Sequence, residues 1–228
     1  MDFIHEIGSR MAAADALPEV LERVVEFVSG VVQCDSCLLY VLEENELVLR
    51  ASKNPHPEAI NRLSLRVGQG ITGWVAENIQ PVAISSHPSG DPRFRFFGEL
   101  PEDTYEAFLS VPVLCRGRVV GVVNLQHRLP HEHTRTEINL ISTIGFLAGA
   151  EIELARLEGR VSHLSEQLES RKVVERAKGI LQRDLKISEE EAYRTLQRQS
   201  RQRRKPMKEI AEAILLSDDL RKNGREPS

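Results

Sequence analysis

The stretch Leu109-Ser-Val-Pro-Val-Leu-Cys-Arg-Gly-Arg-Val-Val-Gly-Val-Val-Asn-Leu125 sets the architecture. Leu109–Leu114 and Val119–Leu125 are β-rich apolar runs, and Arg116-Gly117-Arg118 between them is a tight turn, so two strands are expected. Upstream, Cys37–Leu42 and Leu47–Ala51 flank Glu43-Glu-Asn-Glu46 and read as a hairpin. Leu63, Leu65 and Val67 alternate with polar residues, the pattern of a strand with one buried face, and Pro81-Val-Ala-Ile84 adds another strand. Leu17, Val20, Leu21, Val24, Val25 and Val28 recur at helical spacing, with Asp15 as N-cap and Pro18 in the first turn. Trp74–Glu77 is a short helix after the turn Gly68-Gln-Gly-Ile-Thr-Gly73. Helix, about six strands, then helix predicts an α+β domain on an antiparallel sheet.

Composition narrows the function. The 228 residues are 41% hydrophobic, enough for a core and too apolar for a wholly disordered chain. No stretch approaches the roughly 18 uncharged apolar residues of a membrane span, and Met1–Glu6 lacks the basic and apolar regions of a signal peptide. No membrane partner and a cytoplasmic location are therefore expected. Cys34, Cys37 and Cys115 are odd in number and too few for a disulfide framework. Cys34-x-x-Cys37 has no second such pair, which favours structural cysteines. His127, His131 and His133 lack the carboxylate spacing of a metalloprotease and read as loop surface, so no metal is expected. No nucleophile stands beside a base, so the expectation is no catalytic residue, no cofactor and no enzyme.

The second half changes character. His87–Glu106 is an irregular loop carrying Phe94, Phe96 and Phe97, either a functional loop or a lid over one sheet face. Thr134-Arg-Thr-Glu137 is a capping box opening a long helix. Ala150, Leu154, Leu157, Val161, Leu164 and Leu168 then follow a 4-3-4-3-4 spacing, the seam of a parallel coiled-coil dimer or of an internal packing face. Beyond it the apolar phase moves to Val173, Val174, Ala177, Ile180 and Leu181. A second capping box, Ser188–Glu191, and Pro206 start two further short helices, giving a three-helix module with a polar tail from Ser217. Residues 1–150 hold 12 Lys/Arg against 19 Asp/Glu, whereas Arg171–Lys208 holds 13 against 5. A basic module behind an acidic domain suits a polyanionic partner, or is a solvated helical surface. Arg194, Arg198 and Arg201 form one helical stripe; Tyr193 beside them is either core or surface.

Two resemblances follow. Val67–Ala76, Pro81–Ile84, Asp91-Pro-Arg-Phe94, Ser110-Val-Pro112 and Gly121–Leu125 resemble the GAF family of small-molecule sensor domains. Arg176-Ala-Lys-Gly-Ile-Leu181, Ser188-Glu-Glu-Glu-Ala-Tyr193 and Ile210-Ala211 resemble the ANTAR family of RNA-binding antitermination domains. The resemblance implies a GAF sensor over residues 1–150, a signalling helix over 150–170, an ANTAR domain over 168–217 and a tail over 218–228. It also implies a bacterial antitermination regulator that binds nascent-transcript hairpins as a homodimer, under control of an unidentified small-molecule effector. The residues it nominates for RNA are Arg176, Lys178, Gly179, Arg183, Tyr193, Arg194, Arg198, Arg201, Arg203, Arg204 and Lys205. Trp74, Phe94, Phe108 and Asn124 are nominated for the effector. Lys178 and Arg183 lie off the apolar face and are expected to reach phosphates; Gly179 in a helix suggests close backbone approach. The cyclic-nucleotide signature and the bilin-attachment cysteine of some GAF domains are missing.

Overall fold

The computed structural model describes residues 16–53, 57–94 and 105–223. They fall into two compact units, Met1–Gly159 and Arg160–Ser228. In the first, helix α1 (Leu17–Val31) starts from Ala16 with Pro18 in its first turn and no side-chain cap. Asp15, the expected cap, lies outside the described residues.

Six strands follow: β1 (Ser36–Glu43), β2 (Glu46–Lys53), β3 (Ser64–Arg66), β4 (Val82–Ile84), β5 (Ala107–Cys115) and β6 (Arg118–His127). They form one antiparallel sheet in the order β3-β2-β1-β6-β5-β4. The β5–β6 hairpin turns on Arg116 (φ 51°) and Gly117 (φ 75°), the left-handed pair that matches strand twist. β3 is shorter than the Leu63–Val67 alternation suggests. Helix α2 (Gly70–Asn78) begins four residues before Trp74, inside the glycine-rich turn. The reason is steric: a Cβ on Gly73 would drive into the Arg66 carbonyl, so glycine lets the helix lie on the strand end.

Alternation sends the two faces of the sheet to different layers. Leu39, Val41, Leu109, Val111, Val113, Val123 and Leu125 pack under α1 and the start of α3 (Arg135–Leu185). Leu38, Tyr40 and Val122 pack against Ile71 and Val75 of α2, with Leu63 and Leu65. Cys37 is buried under the first layer, and burial raises its thiol well above the ordinary range and pushes Cys34 up to about 11. Neither is a ready thiolate. The Thr134 amide donates to Glu137 at 2.7 Å and the Glu137 amide to Thr134 Oγ1 at 3.2 Å, completing the expected capping box. α3 contains a window of mean hydropathy 1.4 long enough to cross a membrane, 39% of it buried. Its Ile141, Ile144, Ala148 and Ile152 are core of the sheet layer.

The second unit holds the end of α3, α4 (Glu189–Arg203) and α5 (Met207–Asn223). Val173, Ala177, Leu196, Ile210 and Ala211 form its core. Ser188 and Glu191 make the second capping box. The polar tail expected from Ser217 is corrected: α5 continues to Asn223, and buried Asp218 accepts from Arg183 at 2.6 Å and pairs with Lys222 at 2.8 Å.

Candidate nucleic-acid interface and effector face

α4 presents its basic stripe because its apolar residues are fully used on the opposite side. Ala192 and Leu196 are completely buried, while Arg194, Arg198 and Arg201 are exposed. Tyr193 is 43% exposed, which decides between its two readings in favour of the surface. Arg194 pairs with Glu190 one turn back, an exposed contact worth only about 0.3–0.5 kcal/mol and readily exchanged. Arg198 and Arg201 have no ion pair among the described residues. Arg203 leans on Gln199 at 3.3 Å, Lys205 pairs with Glu209 at 2.9 Å, and exposed Arg204 ends the helix in a left-handed cap at φ 52°. Cations on this last turn also suit the negative end of the helix dipole. Arg176 is exposed on α3.

Lys178 and Arg183 are placed differently from expectation. The Lys178 side chain is 8% exposed, and its Nζ donates to Glu175 at 2.8 Å and to Glu189 at 2.7 Å. Those two carboxylates hold its ammonium above its ordinary range. Arg183 donates to Asp184 at 2.8 Å and to Asp218 at 2.6 Å, and both bonds raise it likewise. These two cations tie α3 to α4 and to α5. Lying off the apolar stripe did not leave them free, because acidic residues of the neighbouring helices face them. Gly179 is exposed, and a Cβ there would meet nothing within 4 Å. No neighbour among the described residues explains this helical glycine.

On the α2 face of the sheet, Phe94 and Phe108 meet edge to face at 5.7 Å, with Tyr105 at 6.3 Å from Phe108. Half-buried Trp74 carries the Arg93 guanidinium 4.6 Å above its ring. Arg93 is itself held by Asp91 through Nε at 2.9 Å and Nη2 at 2.7 Å, and these bonds keep the Asp91 carboxyl below the usual range. Asn124, nominated with Trp74, Phe94 and Phe108, is engaged within the fold. It is buried, accepts from Ser110 Oγ at 2.6 Å and donates to Thr72 Oγ1 at 2.7 Å, so its amide fastens β5 and β6 to α2. Phe96 and Phe97 lie outside the described residues. The motif Asp91-Pro-Arg-Phe94 thus places an ion pair over Trp74, a contact that the spacing of the motif did not reveal.

The profile of the GAF domain matches residues 16–152, and that of the ANTAR domain matches residues 162–215. The chain belongs to the GAF family and carries an ANTAR domain behind it. Over 77 residues it is 44% identical to the transcriptional regulatory protein PdtaR of Mycobacterium tuberculosis, covering 34% of this chain and 38% of PdtaR. The Nif-specific regulatory protein of Azospirillum brasilense is 26% identical over 160 residues, 67% of this chain and 25% of that protein. The chain thus spans well under half the length of these relatives. The GAF domain of a phosphoenolpyruvate-protein phosphotransferase from Coxiella burnetii superimposes with a TM-score of 0.64 at 26% identity, over 70% of this chain and 95% of that one. GAF and ANTAR domains are regulatory modules, a sensor and an RNA-binding output. In the GAF domain the aromatic group therefore sits on the sheet face beside α2; in the ANTAR domain the arginine stripe occupies α4.

Proposed function

We propose that this GAF–ANTAR chain is a bacterial transcription antitermination regulator, not an enzyme, working in the cytoplasm as a homodimer. Its GAF domain takes a small-molecule effector at Trp74, Phe94 and Phe108. Its ANTAR domain grips hairpins of nascent mRNA and holds them in the arrangement that lets transcription continue. The carrying observation is the exposed stripe of Arg194, Arg198 and Arg201 with Tyr193 beside it, on a helix whose apolar residues are already buried. Arginine meets phosphates, and an exposed aromatic ring can stack on an unpaired loop base. Lys178 and Arg183 act here as positioning residues that hold the three helices together. Supporting the dimer, Leu154, Leu157, Val161, Leu164 and Leu168 on α3 are all 48–66% exposed.

Gel shifts at several salt concentrations, with a two-stem-loop RNA and a duplex DNA of equal charge, test this reading. Each phosphate contact contributes about 0.7–0.9 to the slope of log affinity against log salt. Arg198→Ala with Arg201→Ala is expected to flatten the RNA slope by roughly 1.5. Arg116→Ala, in the GAF hairpin turn, is expected to leave it unchanged. Equal binding of duplex DNA, or an unaltered slope in the double variant, overturns the assignment.

Gly179 gives a second test with opposed signs. Gly179→Ala should stabilise the helix by about 0.5–1 kcal/mol, because the added methyl meets open space. If RNA approaches the backbone there, the same methyl lowers RNA affinity while the melting temperature rises. A rise in both would assign the glycine no part in binding.

A further inference from the structure

The loop-surface reading of three histidines is corrected by their burial. His127 at the end of β6 and His133 before α3 are each 7% exposed, and only His131 is half-exposed. Their rings gather: His127 stacks on His131 with centroids 4.1 Å apart, while His133 lies 4.7 Å from His131 and 5.1 Å from His127. Nε2 of His127, Nε2 of His131 and both ring nitrogens of His133 are buried without a hydrogen-bond partner. A buried polar atom left unpaired costs about 1–3 kcal/mol, so three adjoining rings that each carry one call for a ligand.

We propose that His127, His131 and His133 bind a divalent transition metal ion of borderline softness, foremost Zn2+, at the root of α3. Each ring offers one ligand nitrogen, and these atoms all lie within 4.8 Å of one another. Three imidazole nitrogens on one tetrahedral ion at about 2.0–2.1 Å stand roughly 3.4 Å apart, so shifts of about an ångström close the set. An all-imidazole set suits zinc, copper, nickel or iron, and disfavours magnesium and calcium, which take oxygen.

The surroundings fit the assignment. Glu137 Oε1 is 3.6 Å from His131 Nε2, while its Oε2 is engaged in the helix cap. The carboxylate can therefore orient His131 or complete the coordination without uncapping α3. Asp35 accepts from the Arg128 amide at 2.8 Å and secures the chain just after His127. An ion held here would join the end of β6, the β6–α3 connection and the first turn of α3 in one rigid knot. This site stands independently of the RNA-binding reading.

The test uses the full chain without a purification tag, stripped by a chelator. Co2+ is titrated by its visible absorption and then displaced with Zn2+; melting is followed in parallel. One ion per chain, Zn2+ affinity in the micromolar range or tighter, and a higher melting temperature with Zn2+ are expected. His131→Ala, chosen because its ring is half-exposed and its loss spares the fold, should weaken binding at least 100-fold and abolish the Zn2+-dependent rise in melting. Glu137→Gln, which can still serve the cap, should weaken it about 10–100-fold. His163→Ala, far along α3, should change nothing. Absence of stoichiometric binding, or binding unaffected by His131→Ala in a folded chain, overturns the site. RNA gel shifts of the stripped chain remain a separate readout, so failure of one reading leaves the other visible.

Discussion

Leu157→Glu combined with Leu164→Glu should convert the proposed dimer to a monomer and lower RNA affinity by two orders of magnitude or more. The two leucines are seven residues apart on α3, and both are about half-exposed, at 48% and 57%. In a parallel dimer they would occupy the same heptad position and meet their own copies, so the double substitution sets like charges face to face at two levels. Two linked RNA modules gain about 100- to 10,000-fold over one, and that gain disappears with the dimer. Light scattering reads the mass and a gel shift reads the affinity. A variant that still scatters as a dimer would move the interface away from this seam. Retained affinity in a proven monomer would show that a single ANTAR domain suffices.

Gly149→Ala should destabilise the GAF domain by about 3 kcal/mol or more, seen as a melting temperature lower by roughly 10 °C. A Cβ at this position would drive into the backbone carbonyl of Leu114, nearer than real Cβ atoms come. One turn earlier, a Cβ on Gly145 would stand 3.0 Å from the Pro112 carbonyl. The two glycines let α3 lie directly on the backbone of β5, and backbone hydrogen-bonded to β6 has little room to retreat. The control lies on the same helix. Gly159 has nothing within 4 Å of its would-be Cβ, so Gly159→Ala should raise stability by about 0.5–1 kcal/mol. Equal effects at both positions would mean that helix propensity, not the close approach, governs Gly149.

Much of this is legible in the sequence itself. The β5–β6 hairpin announced itself through two apolar runs around Arg116-Gly117, whereas the pairing of β6 with β1, far apart in the chain, did not. Both capping boxes, at Thr134 and Ser188, are local patterns four residues long, and both formed as written. Such features depend on near neighbours in the chain, which a sequence displays in full. The arginines of α4 were readable for the same reason, since 3.6-residue periodicity separates them from Ala192 and Leu196.

The remainder turned on partners distant in sequence. Periodicity put Lys178 off the apolar stripe but could not reveal that Glu189 of the next helix would reach its ammonium, or that Asp218 would reach Arg183. Asn124 matched a family motif, but its hydrogen-bond partner Thr72 is 52 positions away. The start of α2 at Gly70 and the demand for glycine at 149 depend on which backbone lies opposite. The histidines are the clearest case. Their spacing says only that a strand end is followed by a short connection, whereas burial and ring proximity arise when that connection folds back over β6. The sequence alone determined the elements, their order and the charged face of α4, because those rest on local periodicity and capping. Tertiary structure alone decided which charges are spent internally, which glycines are obligatory and where three imidazoles meet, because each depends on groups that only folding brings together.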